Sequence, residues 1–436
     1  PDRNDWPTCR GHTSRSGATL ADVPSDLDTA WVKRIGGRLT SPVIAQNTVL
    51  AAEMDAHRLH ALDAAMGDRR WTYTAGGRID SPPTVDRGRV LFGSADGTVY
   101  CLRLSDGELI WRFRAAPHDR RIVANEQLES VWPVSGSVLV LDGAVYFAAG
   151  RTSYLDGGIF LYKLDAHSGR VLKAVTLEVE QAKRDRGVVS GGHLPDVLSA
   201  VDASIFMRSA RFSENLTRQK DDVAHLWSSV GFLDDSWWHR TYWQFGTSMR
   251  SGWGGWPKAG RTVPAGRLLA TDGKRIVGFG RNQYDIPGAH VGVDGEEAWG
   301  PVGDGLSRWT FYRLFARPLD EEEGQGTAQF KKGGGWSRRI PVLARAMVLT
   351  NDTIFVAGPD DPLSDRVAHE PLEADPVAKA LDATEGGRLL TVSLADGTIV
   401  SNRPLESPPV FDGMAAAANR LYVSTKKGHV ICLAAK

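Results

Sequence analysis

The sequence predicts an all-β protein, a β-propeller of seven four-stranded antiparallel blades, with eight blades as the alternative. Two repeats carry this prediction: the stretch Gly36–Pro42 returns as Gly76–Pro82, 40 residues later, and Trp31, Trp71 and Trp111 share the same spacing. Each repeat holds alternating apolar strands separated by turns, and 47 glycines and 14 tryptophans suit many short strands with aromatic packing. Four strands per repeat correspond to one propeller blade.

The strand sets follow one another along the whole chain, so we expect one propeller domain over residues 1–436. They lie at residues 41–75, 81–115, 133–177, 190–245, 262–318, 338–405 and 407–436. The last set stops after Cys432 without a turn or a Trp-bearing strand, whereas residues 28–33 form such a strand before any complete set. We therefore expect the N-terminal strand to complete the last blade, because this pairing leaves no open sheet edge.

The turn before the outermost strand of a blade carries Asp and Gly, as in Leu104–Gly107, Leu164–Gly169 and Leu394–Gly397. These residues tolerate the positive φ that a tight turn between antiparallel strands requires. Cys101 and Cys432 occupy the same position of this pattern and are predicted to be buried strand thiols without disulfides, like Cys9.

The charge balance argues against nucleic acid as a partner. The 52 Lys and Arg residues equal the 52 Asp and Glu residues, so no overall basic field attracts nucleic acid. No run of 18 apolar residues occurs, and we expect no transmembrane segment.

The segment Leu62–Trp71 resembles the Leu-Asp-Ala-x-x-Gly-x-x-x-Trp signature of the PQQ-like, quinoprotein-type β-propeller repeat of bacteria. The opening Asp5–Gly11, with Arg15–Gly17, is similar to the segment that leads into such propellers. The resemblance covers residues 1–170 and 388–436, and Lys173 and Ser401 stand where it implies Trp. It implies a periplasmic or secreted bacterial protein.

Quinoprotein dehydrogenases of this fold would imply alcohol or sugar oxidation, yet their active-site set is not recognisable here. Those enzymes have two adjacent cysteines, and this chain has none. No motif corresponds to their calcium-binding carboxylates and Asn. We therefore expect no bound PQQ, and leave calcium as an alternative near Asp294–Glu297, which does not match a calcium loop.

Nine of the 14 tryptophans lie between Trp227 and Trp336, in Trp/Gly-rich loop insertions predicted over about residues 178–336. A second long loop is predicted at 359–387. The aromatic side chains fit either packing between blades or stacking on sugar rings. Arg beside them would pair with a uronate, and His or Tyr would remove or return a proton in a β-elimination.

The candidate site combines these residue types. Its catalytic candidates are His193, His239, Tyr242 and Arg240, and its ligand-binding candidates are Arg208, Arg211, Trp238, Arg250, Trp253 and Trp256.

Two classes of function remain open at this stage. The first is a monomeric scaffold that binds a polysaccharide or a protein partner on its loop face. The second is a carbohydrate-active enzyme, a polysaccharide lyase acting on uronate-containing glycans rather than a hydrolase.

Overall fold

The computed structural model describes residues 4–179, 193–220, 223–228, 243–247, 264–281, 312–319, 335–364 and 375–436. Over these residues the chain forms eight antiparallel sheets arranged as the blades of a propeller, plus one two-stranded hairpin. Adjacent blades are joined by clusters of buried apolar side chains, such as that of Val49 with Ala415 between the first and last blades.

The strands are as follows. Blade 1 consists of β2 (Val43–Ala45), β3 (Thr48–Glu53), β4 (Arg58–Asp63) and β5 (Arg69–Thr74); blade 2 of β6 (Thr84–Asp86), β7 (Arg89–Gly93), β8 (Thr98–Arg103) and β9 (Leu109–Arg114). The hairpin is β10 (Arg121–Ala124) with β11 (Gln127–Ser130). Blade 3 consists of β12 (Leu139–Leu141), β13 (Ala144–Ala149), β14 (Ile159–Asp165) and β15 (Val171–Leu177); blade 4 of β16 (Ser199–Val201), β17 (Ser204–Met207) and β18 (Ala210–Ser213).

Blade 5 consists of β19 (His225–Ser228), β20 (Trp243–Gly246) and β21 (Ala265–Gly266); blade 6 of β22 (Leu268–Thr271), β23 (Arg275–Arg281), β24 (Tyr312–Pro318) and β25 (Trp336–Arg338). Blade 7 consists of β26 (Ala346–Leu349), β27 (Thr353–Gly358), β28 (Arg388–Ser393) and β29 (Ile399–Pro404). Blade 8 consists of β30 (Pro409–Ala417), β31 (Arg420–Thr425), β32 (His429–Ala435) and β1 (Leu27–Arg34). One helix, α1 (Asp375–Asp382), lies within the range 359–387.

The count of eight blades corrects the first count of seven and confirms the alternative. The error lies in the unit assigned to residues 190–245, which contains two separate sheets, β16–β18 and β19–β21. Residues 214–224, which lie between these two sheets, contain no Gly, Pro or Trp, so no repeat marks where one sheet ends and the next begins.

The predicted closure of the ring is confirmed. Strand β1 pairs antiparallel with β32, with Trp31 opposite Cys432 and Lys33 opposite Val430. The N-terminal strand is therefore the outermost strand of blade 8, whose other three strands come from the C-terminal end of the sequence.

Four tryptophans, on blades 8, 1, 2 and 6, each tie their blade to the next one. Each indole N–H donates to a carbonyl in the turn before the outermost strand of the neighbouring blade: Trp31 to Ala64 (3.2 Å), Trp71 to Leu104 (2.8 Å), Trp111 to Ala166 (3.2 Å) and Trp336 to Leu394 (2.8 Å). The ring covers the glycine of that turn, and a Cβ added at Gly107 would lie 2.6 Å from the Trp71 ring.

This arrangement explains why Ser401 replaces Trp in blade 7. The next blade, blade 8, takes its outermost strand from the N-terminal end of the sequence, so no turn links β32 to β1. An indole at position 401 would have no such turn to pack on. Instead, Arg403 of β29 donates to Thr29 Oγ1 (2.6 Å) and Asp28 Oδ1 (3.3 Å) of β1.

All three cysteines are buried free thiols, as predicted. Cys101 lies on β8 of blade 2 and Cys432 on β32 of blade 8, so equivalent positions of different blades hold them apart.

Candidate functional site

The N-terminal segment crosses the centre of the ring. Backbone hydrogen bonds join it to six blades: Trp6 to Ile44, Pro7 to Val85, Thr13 to Ala200, Ser16 to Thr271, Gly17 and Thr19 to Leu349, and Asn4 to Ala418. Two arginine side chains reach the remaining two blades, because Arg15 donates to Val138 O of blade 3 and Arg10 stacks on Trp243 of blade 5. We call residues 4–19 the plug, and the face of the ring that carries the β30–β31 turn the plug face.

The two plug arginines are buried and fully used as cross-links. Arg10 lies 2.5 Å from Asp412 and 4.2 Å above the Trp243 ring, and it also donates to Leu269 O. Arg15 donates to Leu198 O at 2.9 Å and to Thr8 Oγ1 at 2.5 Å. Burial raises the pKa of Asp412, and Arg10 opposes this. These contacts give the Asp5–Gly11 and Arg15–Gly17 motif a structural role.

A cavity of about 550 Å³ lies on the side of the plug opposite to the plug face. Its floor includes Cys9, Trp243 and Asp412, and its walls come mainly from segments that lead into the innermost strands of several blades. The charged lining residues are Arg38, Arg78, Asp80, Arg345, Asp412 and Lys426, and the apolar ones include Leu39, Met54, Pro82, Val197, Val410 and Phe411.

The charged groups of the cavity are engaged by the chain itself. Arg78 lies 2.5 Å from Asp80 and 3.2 Å from Glu129, while Lys426 Nζ donates to the last carbonyls of α1, Leu381 O and Asp382 O, at 3.0 Å each. Burial raises the pKa of Asp80, and Arg78 opposes this.

No histidine lines this cavity in the described part of the chain, and its one thiol is a poor nucleophile. Burial raises the pKa of Cys9, so the thiolate is disfavoured. The described lining therefore combines apolar side chains with charged groups that the chain itself pairs.

The hairpin of β10 and β11 belongs to no blade and lies beside the mouth of this cavity, which its tip residue Asn125 lines. Gln127 Nε2 donates to Asp55 O at 3.0 Å, in the β3–β4 turn of blade 1, and Ser130 N–H donates to Ala95 O at 2.8 Å in blade 2. We call this side of the ring the hairpin face.

One face of the hairpin is anchored and the other is displayed. Glu129 is 1% exposed and lies 2.6 Å from Arg151 and 3.2 Å from Arg78. On the opposite face, Val123 and Leu128 are cross-strand neighbours that are 80% and 58% exposed. Buried ion pairs thus hold a hairpin that presents an apolar pair to solvent.

Three residues of the predicted site are described, and none of them lines the cavity. His193 is half-buried: its N–H donates to Ser153 Oγ at 2.6 Å, and its carbonyl accepts the Ser153 N–H at 3.0 Å. Burial, followed by the Arg218 charge, lowers the pKa of His193. Arg211 Nε donates to Ser204 Oγ at 3.0 Å on blade 4. Arg208 lies in the β17–β18 turn, where its carbonyl accepts from His225 Nε2 at 2.8 Å.

A carboxyl close to these residues has an unusual pKa. Burial raises the pKa of Asp196 to about 7, against the opposing charges of Arg208 and Arg15, and its Oδ1 accepts the Val197 N–H at 2.8 Å. His193 and Asp196 lie in the same loop, which leads into β16.

The remaining predicted residues lie outside the described residues, so the convergence of the site stays a prediction. They are Trp238, His239, Arg240, Tyr242, Arg250, Trp253 and Trp256, and the calcium alternative at Asp294–Glu297 lies there as well. Among the described residues, no group of three or more His, Cys, Asp and Glu could hold a metal ion. No helix in the described ranges is long and apolar enough to cross a membrane.

Sequence reasoning missed the hairpin and the role of the plug. The signal for the hairpin was the gap between the units at 81–115 and 133–177, which holds Ile122-Val123 and Leu128 on either side of a polar turn. The plug contacts need the closed ring, because Arg10 and Asp412 are 402 positions apart in sequence.

Comparison with known families confirms the PQQ-like repeat. The PQQ_2 family, described as outer membrane protein assembly factor BamB, matches residues 10–188. An outer membrane protein assembly factor BamB from Moranella endobia is 24% identical over 47% of this chain and 53% of its own length. One from Yersinia pestis is 26% identical over 34% of this chain and 36% of its own length. The chain therefore spans about half of the first relative and about a third of the second.

Solved structures show the same architecture. The quinohemoprotein alcohol dehydrogenase ADHIIG of Pseudomonas putida HK5 aligns with a TM-score of 0.58 and 11% identity, over 99% of this chain and 80% of that one. The quinohemoprotein alcohol dehydrogenase of Comamonas testosteroni gives 0.55 and 13%, with the same coverage. At these identities the likeness shows the fold alone.

Proposed function

We propose that this chain, a propeller carrying PQQ-like repeats, is a periplasmic scaffold that binds a protein partner on its hairpin face. The observation that carries the proposal is the hairpin itself, an addition to the ring that is held by buried charges and displays Val123 and Leu128. Exposed apolar side chains on a rigid element favour a protein interface, because their burial is favourable and little conformational freedom is lost.

The names of the relatives support this choice of partner. Both relatives are named as outer membrane protein assembly factors, and the matched region includes the hairpin. We infer that the partner is an outer-membrane protein or a component that assembles such proteins. The lyase hypothesis depends on His239, Tyr242 and the tryptophan loops, and no contact among the described residues favours it.

Site-specific photo-crosslinking in cells tests this proposal. A photoreactive amino acid at position 123 places the probe on the hairpin face, and one at Met66 places it in the β4–β5 turn on the plug face, where the side chain is 70% exposed. We expect an adduct from position 123 whose partner is identified by mass spectrometry as an outer-membrane or assembly protein, and none from position 66. Identical adducts from both positions, or none from 123, would contradict the proposal.

A further inference from the structure

The hairpin has one edge that is fixed to the ring and one that is not. In an antiparallel pair, backbone groups alternate between pointing at the partner strand and pointing away from it. Ser130 N–H points away from β10 and donates to Ala95 O of blade 2, so the outer edge of β11 is tied to the ring. The same alternation turns the N–H and C=O groups of Arg121 and Val123 away from β11, and no described strand pairs with that edge of β10.

This edge is rigid. The two-residue turn has positive φ at Asn125 (50°) and Glu126 (61°), which is the turn geometry that matches the twist of a hairpin. Glu129 is fixed by Arg78 and Arg151. A strand that added to β10 would therefore meet backbone groups that are already in position.

The side chains around the edge define the chemistry of such a strand. Val123 and Leu128 form a neighbouring apolar pair on one face of the hairpin. Residues 112–121 carry four exposed arginines, of which Arg120 pairs with Asp156 and Arg121 with Asp119 in solvent-exposed ion pairs that acidic side chains of a partner can replace. Arginines at an exposed sheet edge disfavour strand pairing with most other chains. Their positive charge favours pairing with an acidic segment.

We propose that an extended segment of the protein partner adds to β10 as a third strand. Its backbone pairs with Arg121 and Val123, its apolar side chains cover Val123 and Leu128, and its acidic side chains face Arg120 and Arg121. This inference rests on the proposed function, since it names how the partner is held. Main-chain pairing provides the affinity, and the arginines provide the selection.

A defined peptide tests the proposal on the intact protein. The probe is a fluorescein-labelled peptide, Asp-Glu-Val-Thr-Val-Thr-Val-Thr, whose binding is followed by fluorescence anisotropy. Val123→Pro removes the outward N–H without removing a bond of the hairpin, and we expect it to weaken binding by about tenfold. The matched variant Val123→Thr keeps that N–H, and we expect a loss of less than about threefold. Equal binding by both variants would overturn the strand addition.

Two modified peptides separate backbone pairing from charge. Methylation of alternate amide nitrogens on the pairing edge blocks strand addition but keeps charge and composition, and we expect binding to disappear. Replacing the two acids by Lys is expected to weaken binding by about tenfold at low salt. Unchanged binding of the methylated peptide, or no binding of the parent peptide, refutes the inference. If the crosslink at position 123 still identifies an assembly partner in that case, the proposed function stands and only strand addition fails.

Discussion

Buried charged side chains have different roles on the two faces of the ring. On the plug face, Arg10 and Arg15 fix the plug, which fills the centre of the ring. Its backbone and these two side chains together contact all eight blades. On the hairpin face, Glu129 fixes a segment that leaves Val123 and Leu128 in solvent. One segment completes the protein's own core, whereas the other is available for contact with a different molecule.

The largest expected effect is that of removing the plug, compared with removing the hairpin. Deletion of residues 1–35 removes the plug and β1, opens an edge on β32 and leaves Asp412 without Arg10. We expect this variant to lose its cooperative thermal transition, as followed by circular dichroism. Replacing residues 121–130 by Asn-Gly, which joins Arg120 to Val131 through a tight turn, should leave the transition within a few degrees. A stable truncated protein would contradict the role of the plug.

Two arginines, Arg10 of the plug and Arg38 of the cavity wall, allow the same comparison at the level of one side chain. Arg10→Met leaves the Asp412 carboxylate, which is 12% exposed, without its cation, and we expect the free energy of unfolding to fall by about 3 kcal/mol. Arg38→Met removes a solvent-exposed pair with Asp55 and should cost less than about 1 kcal/mol. Urea denaturation measures both. Equal losses in the free energy of unfolding would show that the Arg10–Asp412 pair stabilises the fold no more than the exposed Arg38–Asp55 pair.

The buried carboxyl of Asp196 should make stability depend on pH. Its pKa is about 7 in the folded protein and lower in the unfolded chain, so folding is favoured by protonation and stability falls as pH rises towards 7. Asp196→Asn keeps the acceptor for Val197 N–H and should raise the free energy of unfolding by roughly 2 kcal/mol at pH 8, with little change at pH 4. A gain of the same size at both pH values would show that the charge is not the cause.

The smallest expected effect concerns the hairpin anchor. Glu129→Gln weakens the ion pairs with Arg78 and Arg151 while Asp80 continues to pair with Arg78. We expect faster amide hydrogen exchange in residues 121–130 and a global stability loss of only about 1 kcal/mol. Unchanged exchange in the hairpin would mean that backbone contacts such as Ser130 to Ala95 hold it alone.

The sequence allowed the ring closure and most blade boundaries to be predicted, because both depend on local repeats. The strand of Trp31 has no blade of its own at the N-terminal end of the sequence. The strand set that ends with Cys432 lacks an outermost strand. The repeats favour seven blades because residues 214–224, which separate two sheets within 190–245, contain no Gly, Pro or Trp that would mark a boundary. Contacts such as Arg10 with Asp412 depend on the closed ring and have no local signal.

The candidate site was predicted from the density of aromatic residues, and only His193, Arg208 and Arg211 of that set are described. These lie on blade 4 and its preceding loop, held by neighbours such as Ser153 and Ser204. The hairpin was overlooked because its exposed Val123 and Leu128 are ordinary strand residues in sequence, and burial is decided by where the strand lies.

The most direct test of partner binding by the hairpin face is genetic. Folded outer-membrane proteins are measured by heat-modifiable gel mobility in envelopes of three strains, which carry the parent protein, no protein, or the variant with residues 121–130 replaced by Asn-Gly. We predict that the variant accumulates to the parent level as a folded protein, yet leaves folded outer-membrane proteins as low as in the strain without it. Full restoration by the variant would contradict the account, as would identical levels in all three strains.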